Sequence, residues 1–335
     1  MRHYFLGSAA AAACILASCG TALAASCPGN PNALGVSRVL TIGPADLPRV
    51  GRLQYPVTLP LEDHEVVLTF DDGPLPPYTE QVLDLLAAEC VKVTYFLVGR
   101  QANAFPEAAR EVYMAGHAVG THSQNHPLTF DKMPTEAVEK EIDDGIASVA
   151  AALGTPDALA PYFRIPGLMR SDYVEGLLAT RSLMVWGIDF DADDWMHISS
   201  DQIVRRAMER LDKRGKGILL LHDIHPQTVA ALPKLFAALK KGGYHVVQVV
   251  PPGERPQVLP DFTPMVAAPL PQHQRHARRV HVATAGEPPT ISSFSAAPEK
   301  GHSRRPHHHN HRRHLARAGD DVTGSVRGAG RGDAW

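Results

Sequence analysis

Between residues 65 and 250 short apolar runs alternate with longer stretches in which apolar positions recur every three or four residues. The short runs, Val66–Phe70, Val93–Val98, His117–Gly120, Tyr162–Ile165, Leu183–Ile188, Gly217–Leu221 and His245–Val249, predict buried strands. The amphipathic stretches at Thr79–Ala88, Pro106–Ala115, Thr135–Leu153, Ser171–Ala179, Ser200–Lys213 and Gln227–Lys240 predict helices. Thr135 and Ser200, each followed by an acid, read as hydroxyl caps at helix starts. Strict alternation of the two kinds of element predicts an α/β fold of parallel strands joined by crossover helices, either closed as a barrel or wound as an open sheet. Seven strands leave such a barrel one short of the usual eight.

The pattern fails at both ends. Residues 26–61 are rich in Pro and Gly with scattered apolar pairs, which predicts an extended lead-in lying on the domain surface, without chemistry of its own. Beyond Pro251 repeated prolines break any regular element, and residues 252–335 read as a disordered tail rich in Pro, His and Arg. The expected organisation is therefore 1–25 export signal, 26–61 lead-in, 62–251 domain and 252–335 tail.

The signal is read from Arg2 and His3, an apolar run over Tyr4–Ala17, and Ala22-Leu23-Ala24-Ala25 as a small-residue cleavage site. It is too short to span a membrane, so the mature chain is expected outside the cytoplasm, periplasmic or secreted. An alternative lies in Leu16-Ala17-Ser18-Cys19-Gly20, which resembles a lipoprotein cleavage box with Cys19 as the acylated anchor. Cleavage after Ala24 or Ala25 leaves Cys27 and Cys90, either one disulfide tethering the lead-in or two unpaired thiols.

Composition adds little. The 335 residues are 44% hydrophobic, enough for a sizeable core, and a formal net charge of −2 selects no partner. The charge is uneven: residues 301–319 hold no acid but carry five arginines and six histidines, from His302 to Arg317. Such a run is either a solvated tail or one making weak contact with anionic envelope polymers. Nothing resembles a nucleic-acid-binding domain, and oligomeric state is not legible.

Candidate chemistry gathers where strands end, as it does in α/β barrels. The first strand stops at Asp71 and Asp72, and burying a carboxylate is costly unless it is paired or bound to a metal. The third leads into His122 and His126, four positions apart, either two ligands turned to one side or two loop histidines. One carboxylate added to that pair completes a two-His, one-Asp set for a divalent ion. Arg164 after the fourth strand either holds a buried acid ionised or is a surface arginine next to a turn. Asp189, Asp191, Asp193, Asp194 and Trp195 follow the fifth, either a hydrophilic turn or an acid cluster beside a flat wall for a sugar ring. His222 ends the sixth and is a candidate proton donor, whereas His225 reads better as structural.

Five ordered segments resemble the motifs of the polysaccharide deacetylases, the NodB-homology or carbohydrate esterase family 4 group. They are Thr69-Phe70-Asp71-Asp72-Gly73-Pro74, His122-Ser123-Gln124-Asn125-His126-Pro127, Arg164-Ile165-Pro166-Gly167, Asp191–Trp195 and Leu219-Leu220-Leu221-His222. The resemblance covers Glu65 to Val250 and implies a distorted (β/α) barrel that removes acetyl groups from N-acetylglucosamine glycans of chitooligosaccharide or peptidoglycan type, or from acetylated xylan. It implies Asp71 as general base, with Asp72, His122 and His126 as ligands of Zn2+, Co2+ or a similar ion. Arg164 would hold Asp71, and His222 would be the general acid, tuned by Asp194 with Asp191 in reserve. Trp195, Tyr78 and Pro166 would meet the substrate, a backbone N–H near Tyr78 or from a neighbouring loop residue facing the developing oxyanion. Two rivals remain: an exported glycan-binding domain without turnover, and a glycosidase with two carboxylates about 5–9 Å apart. The second leaves His122 and His126 without a purpose.

Overall fold

The computed structural model describes residues 27–253. The expected export signal with Cys19, and the expected tail from residue 254 onward, lie outside the described residues.

The lead-in contributes β1 (Arg38–Thr41) and β2 (Arg49–Val50). There follow β3 (Glu65–Asp71), α1 (Tyr78–Ala88), β4 (Thr94–Leu97), α2 (Gly99–Ala104), α3 (Pro106–Met114) and β5 (Ala118–Thr121). Then come α4 (Thr135–Leu153), β6 (Tyr162–Phe163), α5 (Asp172–Thr180), β7 (Met184–Trp186), β8 (Phe190–Asp191), α6 (Ser200–Arg214), β9 (Gly217–His222), α7 (Pro226–Lys241) and β10 (His245–Val250).

Every strand pairing is parallel. β3 lies at the centre, with β4 on one side and, on the other, β9 along residues 66–71 and β10 at residues 65–66. From β4 the ladder runs through β5 and β6 to β7, and β8, on the same stretch of chain, pairs with β9. β7 and β8 do not pair with each other, so the ring stays open at residues 187–189, and the barrel is distorted.

β3 is buried at all seven positions, as a strand covered on both faces must be. Val66, Leu68 and Phe70 face the helices with Val82, Leu86, Leu219 and Leu232. Val67 turns the other way, to Phe96, Ala118, Tyr162, Trp186 and Ile218 in the interior. Because strand side chains alternate, Thr69 and Asp71 share the inward face of Val67. The first acid of the pair is thus aimed into the ring.

The lead-in departs from expectation. β1 pairs with β10 and β2 with β7, and Ile42, Val50, Leu59 and Leu61 are buried in the interior cluster. Two strands of four and two residues carry too little alternation to register in sequence. The disulfide alternative holds: Cys27 and Cys90 are bridged, tying the lead-in to the end of α1. The cap readings need correction. α6 is capped by Ser199, not Ser200, in a reciprocal capping box with Gln202, and α4 starts after Pro134 with no side-chain cap.

Candidate active site

Asp71 is 2% exposed at the carboxyl end of β3, and Arg164, 0% exposed, meets it from beyond β6. Arg164 Nη1 donates to Asp71 Oδ1 at 2.6 Å and to Thr69 Oγ1 at 2.9 Å, while Nε and Nη2 donate to the carbonyls of Trp186 and Gly187. Its guanidinium carbon lies 4.2 Å from the centre of the Phe96 ring. Arg164 does pull the pKa of the acid down, as expected of it. Burial outweighs that pull and pushes Asp71 up to about 6, against the charges of Arg164 and His222.

Asp72 turns away through a left-handed backbone, φ 78°, and addresses the two histidines. Its Oδ1 lies 3.6 Å from His122 Nε2 and 3.3 Å from His126 Nε2. One ligand atom from each of the three residues falls within 4.8 Å of the others, and among the described residues no other such trio occurs. His122 Nδ1 pairs with the Arg164 carbonyl at 2.6 Å, which assigns its proton to that nitrogen and leaves the Nε2 lone pair facing Asp72. Burial and the neighbouring His126 pull His122 down to about 3, so the ring is neutral, the form a metal needs. Asp72 Oδ1 is buried yet accepts no hydrogen bond. An oxygen left unsatisfied between two imidazole nitrogens is what a divalent cation would complete, so the donor set fits one. The histidine spacing works through a tight turn, with Ser123 and His126 left-handed at φ 64° and 58°.

His222 ends β9 on the far side of Asp71. Its Nδ1 pairs with Asp194 Oδ1 at 2.8 Å, and its Nε2 stands 4.0 Å from Asp72 Oδ2. Asp194 is fully buried, and its Oδ2 accepts from His222 N at 2.8 Å and Thr228 Oγ1 at 2.7 Å. Burial pulls the imidazole pKa down, but the charge and hydrogen bond of Asp194, with Asp72 and Asp71, push it up to about 10. Asp194 is thus the acid that meets His222, whereas Asp191 pairs with Arg210. Asp191 and Asp193 pair with Arg210, Asp193 also with Arg206, fastening the loop to α6. Asp189, farther back, accepts from Arg52 N, Thr58 Oγ1 and Ile218 N. The acid-rich loop is thus not a solvated turn.

Trp195 is 56% exposed beside Asp194, free to present a flat face. Pro166 is buried and opens the turn after Arg164. The backbone N–H of Tyr78 itself donates to the Leu75 carbonyl at 2.9 Å, which leaves the neighbouring loop residues as the source of an N–H for an oxyanion. His225 is partly buried, its ring 5.8 Å from that of His222, and it precedes α7.

One functional neighbour escaped the sequence reading. Asp223 is fully buried behind the Asp72 turn, accepts from Thr79 Oγ1 at 2.5 Å, and leaves Oδ1 without a hydrogen bond. Burial pushes it up to about 7. A methyl on Gly73 would overlap its carboxyl group, so the glycine that follows the acid pair is demanded by Asp223. An acid directly after the strand-end histidine was the available signal.

The chain is similar to known proteins over this region. The family model described as polysaccharide deacetylase matches residues 59–184. A peptidoglycan-N-acetylglucosamine deacetylase of Bacillus cereus is 34% identical over 189 residues, covering 53% of this chain and 66% of the relative. A chitooligosaccharide deacetylase of Sinorhizobium fredii is 33% identical over 192 residues, covering 53% of this chain and 87% of the relative. The solved structure of a Bdellovibrio bacteriovorus peptidoglycan deacetylase superposes with a TM-score of 0.58 at 27% identity, over 64% of this chain and 59% of that one. The chain thus spans less than two thirds of the Bacillus relative and of the Bdellovibrio structure.

Proposed function

The chain belongs to the polysaccharide deacetylase family, and from that premise we propose that it is a metal-dependent hydrolase removing acetyl groups from an N-acetylglucosamine glycan of chitooligosaccharide or peptidoglycan type. The observation that carries the reading is the convergence of Asp72, His122 and His126 beside two differently tuned groups, Asp71 and His222.

Asp72, His122 and His126 would hold the ion, with Zn2+ the first choice for two nitrogens and one oxygen. Bound there, it supplies positive charge that polarises an acyl carbonyl and acidifies water. Asp71, ionised above pH 6 and oriented by Arg164, takes a proton from the attacking water. As the carbon–nitrogen bond breaks, His222, protonated below pH 10 and held by Asp194, gives its proton to the departing amine. The products are acetate and a free amino sugar, with one water consumed. Trp195 offers a stacking face for the sugar next to Asp194. A two-carboxylate glycosidase is disfavoured, because Asp194 is fully buried and committed to His222 and Thr228.

In this reading residues 62–251 are the catalytic domain, residues 1–25 export the chain to the periplasm or beyond, and the basic tail makes at most weak contact with anionic polymers. The test is a panel of N-acetylglucosamine oligomers, peptidoglycan and acetylated xylan, scored for acetate and for reducing ends, with metal content measured on the same sample. Acetate release that chelation and His126→Ala both abolish is expected. Release indifferent to both treatments, or reducing ends without acetate, would refute it.

A further inference from the structure

His122 and His126 are anchored differently. His122 adjoins β5, with its backbone N–H donating to the Leu97 carbonyl at 2.8 Å and its ring tied to the Arg164 carbonyl. His126 lies past the strand, in a turn whose Ser123 and His126 occupy the left-handed region, where non-glycine residues persist only if their surroundings fix them. Its backbone N–H donates to Ser123 Oγ at 3.0 Å, which closes the turn but does not fasten it to the protein.

Two elements do the fastening: at the start of α2 the N–H groups of Gly99 and Arg100 donate to the Ser123 and Gln124 carbonyls, each at 2.9 Å, and from α4 Glu141 holds the residues that follow. Its Oε2 accepts from Gln124 N at 3.1 Å and from Asn125 N at 2.8 Å, and its Oε1 accepts from Asn125 Nδ2 at 2.7 Å. The Glu141 carbonyl takes Gln124 N as well, at 2.9 Å. One turn further along α4, Gly145 lets the helix approach so closely that a methyl there would overlap the backbone of Ser123 and Gln124. A single carboxylate thus receives three N–H groups from the two residues that immediately precede His126.

We propose that Glu141 is a positioning residue for the metal centre, holding the 123–126 turn so that His126 Nε2 stays 3.3 Å from Asp72 Oδ1. The proposal rests on reading Asp72, His122 and His126 as a divalent-ion site. Partners that orient a ligand without touching the ion typically govern 10–100-fold in metal affinity.

The experiment measures Zn2+ affinity of the full chain by competition with a chromogenic chelator, and the visible spectrum of the Co2+ form. Glu141→Ala is expected to bind Zn2+ about 10–100-fold more weakly and to shift the Co2+ bands, with the metal-free circular dichroism unchanged. Glu141→Gln, which keeps a carbonyl acceptor, should recover most of the affinity, and Asn125→Ala should lose less than Glu141→Ala. Glu141→Ala binding within about twofold of wild type, with the same Co2+ spectrum, overturns the proposal. Should Glu141→Ala fail to fold, Asn125→Ala decides: weaker binding supports the role and wild-type binding removes it. A wild-type chain binding no more Zn2+ than His126→Ala would instead bring down the metal site itself.

Discussion

At the scale of single residues the site is a set of carboxylates in unlike surroundings. Asp71 and Asp72 are neighbours, yet burial raises the first while the imidazoles of His222, His126 and His122 overcome burial and lower the second. For His222 the sign is opposite to that of a buried histidine alone, so removing the Asp194 charge should let its pKa fall. Asp194→Asn is accordingly expected to move the alkaline limb of kcat/KM to lower pH, besides reducing kcat, in a pH–rate profile. Arg164→Ala leaves Asp71 buried without its partner. We expect a loss of about 3–5 kcal/mol in denaturant unfolding and an acid limb displaced upward. Gly73→Ala should cost about 1–3 kcal/mol by forcing the Asp223 carboxyl group aside. Asp223→Ala in the same chain should return part of that loss, a coupling a double-mutant cycle reads directly. The acid pair, the histidine pair, Arg164 and His222 were legible because each falls where an apolar run stops. Glu141 was not read as part of the site, since a single acid on a helix reveals nothing until the fold shows what it touches, and Asp223 had only its place after His222 to mark it.

At the scale of elements, the strands and helices between residues 65 and 250 were foreseen within a few residues, because most are either buried on both faces or clearly amphipathic. What escaped were pieces too short to show a period: β1, β2, β8 and the six-residue α2. The hydroxyl caps were misplaced or absent because Ser199 and Ser200 are equivalent in sequence and only backbone geometry separates cap from first turn. Ser199→Ala should lower thermal stability by about 1 kcal/mol, whereas Ser200→Ala should be nearly neutral. The Cys27–Cys90 bridge closes a span of 63 residues. By loop-closure entropy its removal in Cys27→Ser/Cys90→Ser should cost about 4 kcal/mol, measured as the shift in denaturant midpoint.

At the scale of the whole described molecule, the lead-in belongs to the barrel it precedes. Its buried Ile42, Val50, Leu59 and Leu61 complete the interior, so a chain starting at Glu62 should express as an aggregating or proteolysed species while the longer chain stays folded. Limited proteolysis and circular dichroism would check this. The family model, which begins matching at residue 59, omits both of these strands. The position of Asp189 gives that dependence its meaning. Where the circle of staves has a missing piece, the two oxygens of one side chain stand in for a length of absent ladder, receiving amides from segments more than a hundred positions apart along the polypeptide. The seam of the vessel is thus sewn by its own entry segment, so whatever pulls on residues 49–58 would be felt at the strand that ends in His222.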